Sequence, residues 1–599
     1  RATTTHHSFS HSGDRLQLQI NFIPGATCHA AWLDYVTLNY ERRLALPASG
    51  YLAFSSSKRQ LQLSNATGDV TIWDVTDPLN ILKVDALAAG DKLSWTSGAA
   101  GLRHYVAFKS NASLARPDAA GNVANQNLHS LSDADMVIVT FSQWQNQAER
   151  LAEHHRNGPD SLQVHVVDIN QVYNEFGSGT ADVSAIRKLC KMLYDRGNEG
   201  TRPLRYVLLM GAATFDERHL LEGTRSSRPY TIPGWQTKQM SLALSDNQGF
   251  ATDDFVGMLE DNEGGSLSSA YISVAVGRIP VRNVTQAKSI VDKLLQYANE
   301  SKRGTWRNRV MLIADDCNNG DHLKQSERLV ANLCKDPRQQ HIFTKIYIDA
   351  YEYSGQVPLR ARDEMFQALD EGVMWWNFIG HGNPSKWTGN DILTFNDINK
   401  AYWRQVPVIY AATCDFLRWD SNVTSGGELL FFERNGGCSA MICATRPVNI
   451  SDNGYLSNGM GYSLARRDEQ GRPYPIGEIY RWAKNNLYGN SDQPLSGSNQ
   501  NKLRFVLMGD PAMRLPRPSN IVRLDSINGI AVEDNKDDNQ IKARSLTRIS
   551  GSITDPLNGE IQSNFNGTLH YDLYDAEYSR TTLGHGEKGG FDQPKITFE

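Results

Sequence analysis

Hydrophobic and polar positions along this chain change rhythm twice. Near the start, Leu16, Leu18, Ile20 and Phe22 alternate with Gln17, Gln19 and Asn21, the period of a strand with one covered face. Comparable runs follow at 32–40, 60–64, 70–75 and 104–108, separated by Gly, Ser, Asn and Asp. No helical period intervenes. Residues 1–128 are therefore predicted to form an all-β domain of sandwich type.

From 129 the pattern is different. Continuous apolar runs recur at 136–141, 164–169, 206–210, 272–276, 310–313 and 345–348, then at 373–379, 406–411, 438–444 and 505–508. Amphipathic stretches lie between many of them, at 143–156, 183–194, 284–297 and 321–333. Apolar strands alternating with helices imply an α/β region, 129–515, with mostly parallel strands covered on both faces. About ten strands suit either one large sheet or two sub-domains divided near residue 300. Beyond Leu515-Pro516-Arg517-Pro518 the strand runs return without helices, at 521–524, 542–550 and 567–574, with the acidic 533–540 as an exposed loop. Residues 516–599 are read as a second, truncated β-sandwich. No period of 20–50 residues recurs, which argues against a solenoid or propeller.

Charge and composition narrow the classes. The formal net charge is -5, too small for a bulk field toward nucleic acid or a membrane surface. No run approaches the ~18–20 apolar residues of a membrane span. The chain opens Arg1-Ala2-Thr3, with no initiator Met and no apolar leader, as expected of a processed or truncated product. Seven cysteines, Cys28, Cys190, Cys317, Cys334, Cys414, Cys438 and Cys443, form no CxxC pair and no zinc-spaced cluster. An odd count leaves at least one unpaired within the chain.

In open α/β sheets ligands gather past the carboxyl ends of strands, so reactive groups there carry the search. The run from Val373 to Ile379 leads straight into Gly380-His381-Gly382. The glycines allow a tight turn and leave an imidazole at the strand tip with little bulk around it. A lone histidine is usually a capping group, but a second strand repeats the pattern. Val406 to Ala412 is followed by Thr413-Cys414-Asp415-Phe416, which sets a thiol at its tip 33 residues after His381. That is one βαβ step, so the two groups can converge as a thiol–imidazole pair. Backbone N–H groups of Gly382 and Cys414 are candidates for holding an oxyanion. Cys438 and Cys443 read as core. Cys317 lies among Asp315, Asp316 and Asp321, an acidic setting that raises a thiol pKa. Those three carboxylates are a candidate structural calcium site, although without EF-hand spacing. No phosphate-loop pattern appears, so no cofactor is implied.

At this point the residues resemble the gingipain-type cysteine peptidases of the caspase clan. Asn377-Phe378-Ile379-Gly380-His381-Gly382, followed by Trp387, is similar to their histidine segment. Ala411-Ala412-Thr413-Cys414-Asp415-Phe416 is similar to their nucleophile segment, and Val274 to Pro280 to their VGR-hydrophobic-Pro motif. Thr252-Asp253-Asp254-Phe255 and Gly509-Asp510-Pro511 fall where the family has similar runs. The resemblance implies a caspase/gingipain-like catalytic fold with Cys414 as nucleophile and His381 as its partner. Family members often carry an acid just before VGR; here that place holds Ser273. Asp253 and Asp254 are the other candidates, and the third catalytic member stays unassigned.

The long N-terminal β domain, with Trp32-Leu33-Asp34-Tyr35, narrows the resemblance to the sortase-like members that serve type IX secretion. This implies an enzyme at the bacterial cell surface, held at the outer membrane through partner proteins or segments outside this sequence. It also implies cargo proteins with C-terminal signal domains as substrates, and anionic lipopolysaccharide as an acceptor. No nucleic acid partner is implied. Two rivals stay open. One is a broad-specificity secreted protease using the same residues, with 445–449 as a pocket wall and Thr445 and Arg446 at its rim. The other is a silent scaffold of the secretion apparatus, for which Ser273 is the main support.

Overall fold

The structure, a computed structural model, describes residues 5–598 apart from 14, 25–32, 34, 120, 221–229, 238–248, 266, 268–270, 299–303, 336–340, 486–499, 533–540, 542–543, 570, 572, 574–577 and 585–594. Ten apolar runs assemble one sheet. Its strands are β1 (Met136–Thr140), β2 (Val164–Asp168), β3 (Tyr206–Met210), β4 (Ala275–Ile279) and β5 (Arg309–Ala314). They continue with β6 (Ile342–Tyr347), β7 (Trp375–Ile379), β8 (Val408–Ala412), β9 (Ala440–Ala444) and β10 (Phe505–Met508). Side by side the order is β6-β5-β7-β8-β9-β10-β4-β3-β1-β2.

Strands β5 to β9 run parallel to one another. So do β1 to β4 together with β10. The two parallel halves meet at an antiparallel seam in which Met441 faces Met508 and Ala444 faces Phe505. The strands before and after residue 300 thus belong to different halves of one continuous sheet, and β10 returns from the far end of the chain to join them. Every position of β1, β3, β4, β7, β8 and β9 is buried, which requires cover on both faces. Trp375 and Trp376, adjacent and so pointing to opposite faces, are both fully buried. The helices supply that cover through apolar stripes. Asp321–Leu333, for example, buries Leu323, Leu329 and Leu333 and leaves Asp321 and Lys324 exposed. Among the described residues no helix is long and apolar enough to cross a membrane.

Residues 1–125 form a separate compact unit. One antiparallel sheet is ordered Tyr51–Ser56, Arg103–Lys109, Val70–Asp74, Leu82–Lys83; the other is ordered Gln60–Leu63, Lys92–Thr96, Leu87–Ala89. Leu46, Leu52, Leu63, Ile72, Trp95 and Tyr105 make its core. Two expected strands are not formed among the described residues. Residues 16–22 have no ladder partner, and Leu18, Ile20 and Phe22 are exposed. The described part of 32–40 behaves alike, with Leu33, Tyr35 and Tyr40 exposed; Trp32 and Asp34, like Cys28, lie outside the described residues. Alternation prepares a face, but a strand also needs a hydrogen-bonded neighbour, and among the described residues none is placed there.

The segment after 515 belongs by its contacts to the second unit, 126–599. It contributes Ile521–Ile527 flanked by Ile530–Ala531 and Ile549–Thr554, and a hairpin of Tyr578–Thr581 with Lys595–Phe598. Beyond 515 the described residues form these two small antiparallel sheets and gather no core cluster of their own. The described residues of 567–574 are not strand, and the acidic 533–540 lies outside the described residues. Leu583 and Gly584 instead tie back to the α/β region through N–H bonds to Asp349.

Candidate active site

Strands β7 and β8 are neighbours, with Ile379 opposite Ala412. His381 and Cys414 each follow two residues later. Register alone therefore brings both to one sheet edge, on chains about 4.8 Å apart. The space between them is tight. A Cβ on Gly380 would stand 2.5 Å from Asp315 Cβ, and one on Gly382 would stand 2.5 Å from Thr413 Oγ1. The histidine's neighbours must be glycines for the turn to close. Past Gly382 the chain folds into a hairpin that pairs Gly382 with Trp387. Thr388 donates its N–H to the His381 carbonyl at 2.8 Å. Antiparallel alternation then turns the Gly382 N–H out of the hairpin.

Strand β5, on the other side of β7, holds the imidazole. Asp315 Oδ2 accepts the backbone N–H of His381 at 2.9 Å. The turn that follows carries Asn318, Asn319 and Gly320 at φ 60°, 54° and 68°, left-handed values that Asn and Gly adopt most readily. It aims Asn318 at the ring, and His381 Nε2–H donates to Asn318 Oδ1 at 2.7 Å. An amide oxygen only accepts, so this bond keeps the ring proton on Nε2 and leaves Nδ1 as the basic nitrogen. His322, one residue into the next helix, stands edge-on to His381 with 5.4 Å between ring centroids. Burial first, then the nearby His381, lowers its pKa to about 4.

Cys414 is half-buried and its sulfur faces Val448. The Val448 N–H donates to Sγ at 3.4 Å. Burial pushes the thiol pKa up, the Val448 bond pulls against that, Asp415 adds to the rise and Arg504 opposes it. Among the described residues no hydrogen bond joins the thiol to the imidazole. The resting cysteine is a protonated thiol, held so by its burial.

Several expected site residues lie elsewhere. Ser273 leads into β4, four strands from β7, or about 19 Å at the usual strand spacing, so it does not orient His381. Asp253 binds the buried Arg278 through both oxygens at 2.7 Å, and Arg278 also stacks on Trp419. The VGR arginine is thus the centre of a buried clamp. Asp254 is buried with Lys484 and Tyr480. Asp510 bonds His155 at 2.6 Å. These family-like acids hold loops together rather than touching the imidazole. Arg446 is not at a rim: it is 2% exposed and doubly bonded to buried Asp420 at 2.8 and 2.6 Å. Thr445 is buried too, its hydroxyl donating to Ala251 O at 3.0 Å. The segment 445–449 reaches the site through the backbone of Val448.

Of the proposed calcium ligands, Asp315 and Asp316 lie together with Cys317, while Asp321 stands outside that group with its carboxylate near Lys324. The groups missed in the sequence are Asn318 and His322, and within the expected wall 445–449 it is Val448, not Thr445 or Arg446, that meets Cys414. The Asn-Asn-Gly turn was a visible signal, but nothing in the sequence says that β5 adjoins β7.

A family model supports what this geometry suggests. The model of Peptidase family C25 matches residues 129–516, more than half of the chain. The chain belongs to Peptidase family C25. It is therefore a gingipain-family cysteine peptidase. Gingipain R2 of Porphyromonas gingivalis is 26% identical over 178 residues, covering 28% of this chain and 22% of that protein. Gingipain R1 of the same organism gives the same identity over 28% of this chain and 16% of its own length. The chain thus spans about a fifth of the length of these curated relatives. Among solved structures, dimeric latent PorU from Porphyromonas gingivalis is similar in fold, with a TM-score of 0.50 at 21% identity, covering 90% of this chain and 45% of that one.

Proposed function

We propose that this C25 peptidase is a sortase-like transpeptidase of the bacterial cell surface, with Cys414 as nucleophile and His381 as general acid and base. The observation that carries the reading is the matched register of two strand tips, His381 past β7 and Cys414 past β8. In the reactive arrangement His381 Nδ1 takes the thiol proton and Cys414 Sγ attacks the substrate carbonyl. The Gly382 and Cys414 N–H groups stabilise the oxyanion. The imidazolium then protonates the leaving amine, and a thioester to Cys414 remains. Water ends the cycle as hydrolysis; an acceptor amine ends it as transfer, with the thiol regenerated either way.

The substrate class in this reading is secreted cargo bearing a C-terminal signal domain, with an amine on anionic lipopolysaccharide as acceptor. Attachment to the outer membrane runs through other components of type IX secretion. Support comes from the fold shared over most of the chain with PorU. The broad-specificity protease uses the same Cys414 and His381, and the Arg446 guanidinium offered as part of its pocket rim is bound to Asp420. The silent scaffold leaned on Ser273 as a defective orienting residue, and Asn318 bonds the imidazole instead.

The test is a purified cargo carrying its signal domain, incubated with the protein with and without an added primary amine, and read by intact mass. Signal release by the wild type, none by Cys414→Ala, and amine-adduct formation that grows with amine concentration are expected. Release by Cys414→Ala at the wild-type rate removes the nucleophile assignment. Release with no adduct at any amine concentration removes the transfer step.

A further inference from the structure

We propose that Asp315, His322 and His381 form a site for a zinc-type divalent cation whose occupancy takes His381 out of use. One ligand atom from each of the three lies within 4.8 Å of the other two. Ligands sharing a tetrahedral zinc at about 2.1 Å stand about 3.4 Å apart, so ångström-scale side-chain movements close the shell. The independent sign of a ligand is His322. It is 4% exposed, and both of its ring nitrogens are without a hydrogen-bond partner among the described residues. Burying an unpaired imidazole is costly, and this one faces the histidine and carboxylate that complete a donor set.

The donor chemistry selects the metal class. Two imidazoles and a carboxylate suit zinc and its neighbours in the transition series, whereas calcium requires a shell of oxygens. Three protein ligands leave a fourth position for water. His381 is exposed, which gives the ion a path from solvent. The adjacent group of Asp315, Asp316 and Cys317 is a poorer cradle, because Asp316 already holds Tyr353 and Asn390. A cation on the His381 ring takes up a lone pair that the imidazole needs for proton transfer. Binding is independent of the catalytic reading of His381; the inhibition that follows from it rests on that reading.

Calorimetry on the chelator-stripped full chain tests the binding, with zinc ion as titrant and cobalt ion as the spectroscopic probe. One zinc per chain is expected, with at least a tenfold weaker Kd in His322→Gln. No change is expected in Cys317→Ser, in Cys414→Ala or in a variant lacking His6 and His7. Cobalt is expected to give visible ligand-field bands without a thiolate charge-transfer band. Absence of binding, unchanged affinity in His322→Gln, loss in Cys317→Ser, or a thiolate band in the wild type each overturns the site. The wild-type cobalt spectrum keeps the result decisive should His322→Gln fold poorly. In the cargo assay, the zinc concentration for half-inhibition is expected to rise at least tenfold in His322→Gln. Equal inhibition of both forms, with binding lost in one, overturns the link to His381 and leaves the calorimetric result untouched.

Discussion

Replacing Arg446 by methionine separates a buried clamp from a substrate-facing arginine. In the structure its guanidinium lies 2.6–2.8 Å from the Asp420 oxygens, and the two side chains are 2% and 0% exposed. At an effective dielectric of 20, charges about 4 Å apart attract by about 4 kcal/mol. Breaking a buried pair by removing one partner costs about 3–5 kcal/mol, because the remaining charge is left without a counterion. Arg446→Met should therefore lower unfolding stability by about 3–5 kcal/mol. Adding Asp420→Asn should return more than 1 kcal/mol, since the stranded charge is gone. Urea unfolding followed by tryptophan fluorescence reads this directly, because Trp419 is the residue before Asp420 and stacks on Arg278. KM for cleavage, measured on the folded fraction, should stay within about twofold. An Arg446→Met protein within 1 kcal/mol of wild type, with a raised KM, would refute the clamp and restore the rim.

Iodoacetamide should alkylate Cys414 slowly at neutral pH and faster as pH rises toward and past 9, because burial holds its thiol up; a rate plateau below pH 7, read by mass spectrometry, goes against the resting thiol described above. Asn318→Ala should lower kcat about tenfold, or about 1.4 kcal/mol, with KM nearly unchanged; a loss confined to KM would mean that Asn318 contacts substrate and does not position the ring. Gly382→Ala should cost about 1–3 kcal/mol in stability or the equivalent in kcat/KM through overpacking on Thr413, and Thr413→Ala in the same chain should recover at least half; additive losses contradict the contact. His155 is bonded to Asp510, and although burial works against its charge, Asp510 outweighs it and the pKa is raised. Its stabilisation is full below the unfolded value of about 6.5 and is lost as pH rises through the folded one. Wild type should thus lose its advantage over Asp510→Asn as pH climbs, and a difference flat with pH would contradict the linkage.

The α/β framework was legible because strands buried on both faces write continuous apolar runs, and each of the ten strands overlaps such a run, although β4 begins three residues after its run does and β6 three residues before. His381 and Cys414 were legible for a related reason: a reactive group directly after such a run has one place to go. Which strands touch is a different matter. Strand β7 adjoins β5 and β8, not β6, so the imidazole's partner comes from a turn about sixty residues earlier, and the place where family members often carry an acid, Ser273 here, leads into a strand too far away to reach it. Acidic and basic motifs misled in a consistent way. Asp253, Asp254 and Arg446 read as candidate site groups in the sequence, yet each is buried as half of a pair. Pairing is a tertiary fact with no local pattern. The runs at 16–22 and 32–40 show the converse, with a strand pattern but no neighbour among the described residues to complete a ladder.

The seam between β9 and β10 also sets an order of events. The centre of the sheet is filled by Phe505–Met508, a strand made more than sixty residues after β9 and more than two hundred after β4. Until that strand arrives, two half-sheets expose two unpaired apolar edges, each a template for wrong partners. So late and distant a closure slows folding and invites aggregation of incomplete chains. A nascent chain halted before Phe505 carries both His381 and Cys414, yet has no closed sheet on which to hold them.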